Sequence, residues 1–235
     1  ISPDEYLKLP KSLKDLNISG GEPFLRTDLV EIIKNVKKAC PKAKINISTN
    51  GFLVDTIKTV LPKIKKVDPN ISISVSIDGI GQMHEKVRRV PQAWNKVLET
   101  VRFCRDEMEI KHIKFAFTLN SLNYKQLRMA YEWSYRLGIE FTMAVAHSSD
   151  IYFGQENKLT ADRDFLELEF KHVINDLVKS IKPKNWARAY FVNGLLRLVQ
   201  GKKRPLESFA GQDFFYLDPK GDLYPSVIDN VIMGN

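Results

Sequence analysis

Residues able to do chemistry gather in five short stretches, each closing an apolar run. They are Ser19-Gly20-Gly21-Glu22, Ser48-Thr49-Asn50-Gly51, Ser76-Ile77-Asp78-Gly79, Thr118-Leu119-Asn120 and His147-Ser148-Ser149-Asp150. Hydroxyls, amides and carboxylates in such mixtures hydrogen-bond sugars, amines and carboxylates. In the first stretch, adjacent glycines free the backbone from Cβ clashes and let its peptide groups approach a ligand. Pro23 fixes the chain's exit, and Thr27 can cap a helix starting at Asp28. Taken alone, each stretch is most simply a tight turn with no ligand. If all five stand at the same ends of parallel strands, they instead line one site suited to a polar, nucleoside-like ligand.

The elements between these stretches have the required order. Ser2, Pro3 and Glu5 read as a capping-box helix start, so the sequence enters on a helix. A strand over 15–19 precedes a helix over 28–40 whose Leu29, Ile32, Ile33, Val36 and Cys40 share a face. A strand at 45–48, a helix near 53–66 and an alternating strand at 71–75 follow, then a long loop to Arg88. A helix over about 91–108, a strand at 113–119, a helix at 124–137 and a strand at 141–146 complete the alternation. Two further helices are expected near 161–181 and 185–200, ending at the basic linker Lys202-Lys203-Arg204-Pro205. Phe214–Leu217 and Leu223-Tyr224, joined by Asp218-Pro219-Lys220-Gly221-Asp222, read as a hairpin. Repeated βα units predict a parallel sheet with right-handed crossovers. The expected fold is α/β, a partial (β/α)6 TIM-like barrel with its first strand missing. The expected domains are the barrel over 1–183, and over 184–235 a linker helix and a small C-terminal hairpin.

Composition narrows the classes. The chain has 235 residues, 43% of them hydrophobic, enough for one substantial core. Its net charge of +8 permits an anionic ligand, but the lysines are spread along helices (Lys34, Lys37, Lys38; Lys58, Lys63, Lys65, Lys66) with no interleaved aromatics. Solvated helix faces explain them better than nucleic acid does. Cys40 and Cys104 lack metal-ligand spacing and read as small core residues of a reducing compartment. No apolar run is long enough to span a bilayer, and no signal peptide opens the sequence, so a cytoplasmic protein without a membrane partner is expected.

Gly20-Gly21-Glu22-Pro23, Ser48-Thr49-Asn50-Gly51, and Ser76-Ile77-Asp78-Gly79 followed by His84 and Arg88 together resemble the radical S-adenosylmethionine (radical SAM) enzymes. The resemblance covers nearly the whole chain. Ser208-Phe209-Ala210-Gly211, Phe215–Gly221 and Tyr224-Pro225-Ser226 resemble the opening of the SPASM or twitch domain appended in one branch. The resemblance implies that the Gly20–Pro23 turn presents backbone carbonyls to the ammonium of S-adenosylmethionine. Ser76 and Arg88 would hold its carboxylate. Ser48 and Asn50 would line the methionyl and ribose region, and Val145 and Ala146 would flank the adenine. Glu22 belongs to the same turn, or pairs with a nearby cation. Asp78 is read as structural, holding its own glycine turn, and His147 as facing substrate or simply solvated. In the family a [4Fe–4S] cluster held by three thiolates donates an electron to the sulfonium, giving a 5′-deoxyadenosyl radical that abstracts hydrogen. A peptide or small-molecule substrate and an electron donor such as flavodoxin or ferredoxin are the implied partners.

The sequence departs from the family in two places. The CxxxCxxC motif that follows the family's first strand is absent, and loss of an amino-terminal segment is the expected reason. Ser208 and Ser226 stand where SPASM-type domains place auxiliary-cluster cysteines, and oxygen is the wrong ligand for iron–sulfur centres. The chain as it stands is therefore expected to bind no iron. The leading expectation is a radical SAM enzyme, or a truncated form of one, acting on a peptide or protein. A cluster-free nucleoside- or peptide-binding module comes second, and a basic RNA-modifying protein last.

Overall fold

The computed structural model describes residues 1–146, 159–203, 205 and 207–234. The chain forms two compact units, one made of residues 2–117 and 132–142, the other of residue 1, 118–131 and 143–235. After a 3-10 turn at Pro3–Lys8, strand and helix alternate: β1 Asp15–Ile18, α1 Leu29–Ala39, β2 Lys44–Thr49, α2 Val54–Val67, β3 Ser72–Ile77, α3 Gln82–Arg88 and α4 Ala93–Arg102. Then come β4 His112–Leu119, α5 Leu127–Arg136, β5 Glu140–Val145, α6 Arg163–Val178 and α7 Pro183–Val199, with β6 Tyr216–Leu217 and β7 Leu223–Tyr224 closing the order. The capping box at Ser2 and Glu5 forms as its residues require.

The main sheet has five strands in the order β1-β2-β3-β4-β5, and β1 through β4 pair in parallel. Order in space follows order in sequence, with no switch point of the doubly wound kind. This is the α/β topology of a partial TIM-like barrel. The period of two decides what each face carries. Ile45, Ile47, Ile73, Val75, Ile77, Phe115 and Phe117 are buried together with the apolar stripes of α1 (Leu29, Ile32, Ile33, Val36) and α2 (Ile57, Leu61, Ile64). The alternate positions are polar and run in register, Asn17 beside Asn46 beside Ser72, and Ser48 beside Ser74 beside Lys114.

Several expectations need correction. The loop from β3 to Arg88 contains α3, which the apolar pattern hides because its buried side chain is a histidine, His84. The helix expected through 108 is α-helical to Arg102 and then widens into a π turn at Phe103–Glu107. Cys40 caps α1 rather than lying inside it, with Sγ against the Pro10 carbonyl at 3.2 Å. β6 and β7 pair antiparallel, Tyr216 opposite Tyr224, as the turn residues foretell. The cluster at 147–150 lies outside the described residues.

Candidate functional site

The double-glycine turn leaves the end of β1 with its backbone exposed. A Cβ at either Gly20 or Gly21 would meet nothing within 4 Å, so the glycines do not serve internal packing there. Gly20 has φ 139°, a region that favours glycine. Beside this open edge, Glu22 turns inward and is only 8% exposed. Its Oε1 accepts from the Phe24 N–H at 3.2 Å and from the Thr49 hydroxyl at 2.8 Å, while Oε2 accepts from the Asn50 N–H at 2.7 Å. The carboxylate thus stitches the end of β1 to the end of β2 through neutral donors. Among the described residues it is paired with no cation, and both of its oxygens are engaged in holding the turn. Thr49, which the sequence did not single out, also accepts from the Gly51 N–H at 3.0 Å.

The end of β3 carries a second knot. Asp78 is buried, and its Oδ2 forms an ion pair with Arg88 Nε. Nε finds no hydrogen bond of acceptable angle, so the contact is a charge pair rather than an aligned bond. The carboxylate expected to hold its own glycine turn pairs with the cation ten residues on. His84 Nδ1 accepts from the Asp78 N–H at 3.0 Å. Its ring makes T-shaped contacts with Phe52 and Trp94, with centroids 5.9 Å from each. Nε2 has no hydrogen-bond partner among the described residues. Burial, helped by the nearby Arg88 charge, lowers the His84 pKa from its usual 6.5 to about 4. The imidazole is therefore neutral, as its acceptor role requires.

The polar face between these knots is cross-linked. Asn17 Oδ1 accepts from Asn46 Nδ2 at 2.5 Å and from Ser48 Oγ at 2.9 Å, and Ser74 Oγ donates to Asn46 Oδ1 at 2.9 Å. Asn17, Asn46 and Ser74 escaped the sequence reading, although their alternation with isoleucines was the available signal. Asn50 Oδ1 accepts from the Phe52 N–H at 2.8 Å, a bond within its own turn. Ser76 is half-buried on the same face of β3 as Ser74.

The fourth cluster is cross-linked within its own turn. Asn120 and Asn123 satisfy one another, the Asn120 N–H donating to Asn123 Oδ1 at 2.7 Å and the Asn123 N–H to Asn120 Oδ1 at 3.2 Å. Val145 ends β5, and the Ala146 N–H donates to the Leu119 carbonyl at 2.8 Å. Ser208 Oγ accepts from the Ala210 N–H at 3.3 Å, and Ser226 Oγ donates to Asp229 Oδ2 at 2.5 Å, both local turn contacts.

These residues fit the two groups implied by the resemblance unequally. An exposed backbone edge, a half-exposed guanidinium and a row of hydroxyls and amides suit S-adenosylmethionine. An iron–sulfur cluster needs three thiolates, and the chain has two cysteines, both buried. Burial pushes the Cys104 thiol up to about 12 and raises that of Cys40 as well, the opposite of what a thiolate ligand needs. Among the described residues, no group of three or more His, Cys, Asp or Glu is placed to hold a metal ion. No helix among them is long and apolar enough to cross a membrane.

Comparison with known proteins bears on the family and the fold. The chain is 27% identical over 187 residues to a probable GTP 3′,8-cyclase of Methanocaldococcus jannaschii, a match covering 73% of the chain and 60% of that protein. It is 34% identical over 109 residues to the Fe-coproporphyrin III synthase of Methanosarcina barkeri, covering 46% of the chain and 26% of that protein. Among solved structures, Streptococcus suis SuiB superposes with a TM-score of 0.55 at 16% identity, over 72% of this chain and 37% of that one, a likeness of fold. The chain thus spans between about a quarter and three-fifths of the length of these proteins. The family model of the radical SAM superfamily matches residues 4–133, more than half of the chain, and the chain belongs to that superfamily.

Proposed function

We propose that this chain binds S-adenosylmethionine at the ends of β1, β2 and β3 and forms the barrel of an enzyme that generates a 5′-deoxyadenosyl radical for hydrogen abstraction. The observation that carries the reading is the Gly20-Gly21 edge, open to solvent yet pinned from behind by the buried Glu22. A loose loop must be ordered on binding, at a cost in affinity, whereas this edge is ordered beforehand. Its carbonyls receive the ligand's ammonium. The Arg88 fork and the Ser76 hydroxyl receive the carboxylate, and the Ser48 and Asn50 side faces the methionyl and ribose portion. In this superfamily a [4Fe–4S] cluster held by three thiolates would supply the electron. Residues 1–235 do not carry its three thiolates, so their own part is to bind and orient the sulfonium.

Calorimetric titration of the chain with S-adenosylmethionine tests the binding. Saturable heat is expected, and it should weaken at least tenfold in G21A, whose added methyl enters open space and blocks approach without touching the packing. A parent chain that gives no heat, or a G21A variant that binds unchanged, would overturn the assignment.

For the substrate, the SPASM-like tail supports a peptide or protein. Kinship with a protein named as a probable GTP 3′,8-cyclase supports a nucleotide instead. Fluorescence titration with GTP separates them, since saturation at micromolar concentrations would favour the nucleotide. An acidic electron carrier of the flavodoxin or ferredoxin type fits the +8 charge.

A further inference from the structure

Ligand recognition at the end of β3 depends on where a long, rotamer-rich side chain points, and three contacts fix the segment that bears it. Gly79, at φ 141°, lets α3 pack closely: a Cβ there would stand 2.7 Å from Met83 Cγ and 2.9 Å from Met83 Cβ. His84 Nδ1 ties the same helix to the Asp78 backbone at 3.0 Å. One turn further along that helix face, Arg88 meets the Asp78 side chain through Nε. Arg89 then enters the left-handed region at φ 56°, so Arg88 is the last residue of α3.

The two partners are unequally exposed, 5% for the Asp78 side chain and 32% for Arg88. A guanidinium carries five N–H donors in a planar fork. Engagement of its Nε edge from the buried side leaves the Nη end for solvent or a ligand. We propose that Asp78 is a positioning residue for carboxylate recognition, holding the Nε edge of Arg88 so that the Nη pair is presented outward. This rests on the reading of the strand ends as an S-adenosylmethionine site. Asp78 itself touches no ligand. It removes rotamer freedom that Arg88 would otherwise lose on binding, an effect of roughly tenfold in affinity.

The test compares S-adenosylmethionine with its decarboxylated analogue, which keeps the sulfonium and the ammonium, by calorimetry on the same chain. The parent is expected to prefer S-adenosylmethionine. D78N should lose roughly tenfold for that ligand and nothing for the analogue, so the preference collapses. D78E keeps a carboxylate to neutralise Arg88 but displaces the fork by a methylene. It should show the same selective loss, and it stands in where D78N does not fold. An unchanged preference, an equal loss of both ligands, or tighter binding of S-adenosylmethionine in D78N overturns the positioning role while leaving the site in place. A parent chain that binds neither compound overturns the site reading and the positioning role with it.

Discussion

Replacing Glu22 by glutamine separates a clasp from a ligand-binding group. The carboxylate receives three donors, two on Oε1 and one on Oε2, and is 8% exposed. An amide in its place has one accepting oxygen. Its best orientation keeps the Phe24 and Thr49 bonds and sets an N–H against the Asn50 N–H. A buried donor left without an acceptor costs about 1–3 kcal/mol. Conversion of the two remaining bonds from charge-assisted to neutral costs roughly a further 1 kcal/mol or more. The expected loss for E22Q is about 3 kcal/mol, and at this chain length about 6–12 °C in Tm. Thermal unfolding followed by circular dichroism at pH 7 measures it. T49V, which removes one donor to the carboxylate, serves as the scale and should cost about 1–2 kcal/mol. If E22Q melts within a degree of the parent yet no longer binds S-adenosylmethionine, Glu22 is a ligand group and the clasp is wrong. If T49V costs as much as E22Q, the energy lies in the hydroxyl, which also serves Gly51.

The remaining predictions concern the β3 knot and the core. His84 has a folded pKa of about 4 against 6.5 when unfolded, so the unfolded chain binds the extra proton. Its contribution is present in full above pH 6.5 and is lost as pH falls towards 4, by about 3 kcal/mol. H84N, whose amide oxygen can still accept from Asp78, should flatten the urea-unfolding stability by about one proton across that window; an unchanged slope would refute the assignment. G79A forces a methyl against Met83 at a φ that side chains rarely adopt, and should cost at least about 2 kcal/mol in chemical denaturation. Cys104, whose thiol is pushed up to about 12, should resist iodoacetamide at pH 8 in the folded chain and react once urea unfolds it, as mass spectrometry would show.

Much of the architecture was legible because it rests on periodicity. Alternating isoleucines in β2 and β3 and the apolar stripes of α1 and α2 each have one arrangement that buries them, and the repeating order leaves a parallel sheet as the way to connect them. The glycine turn, the strand-end polar clusters and the family likeness were equally local, since each occupies a few consecutive residues. What sequence could not settle was which polar atoms spend themselves on one another. Glu22 and Asn50 stand 28 residues apart, and only the β1–β2 pairing turns that carboxylate from a possible ligand group into a clasp. Asp78 and Arg88 meet because α3 folds back over Gly79, a helix whose buried face is polar and so leaves no apolar signature. Hydrophobic burial repeats at short range and can be read along the chain. Polar satisfaction is a pairing between distant residues, and the tertiary fold alone decides it.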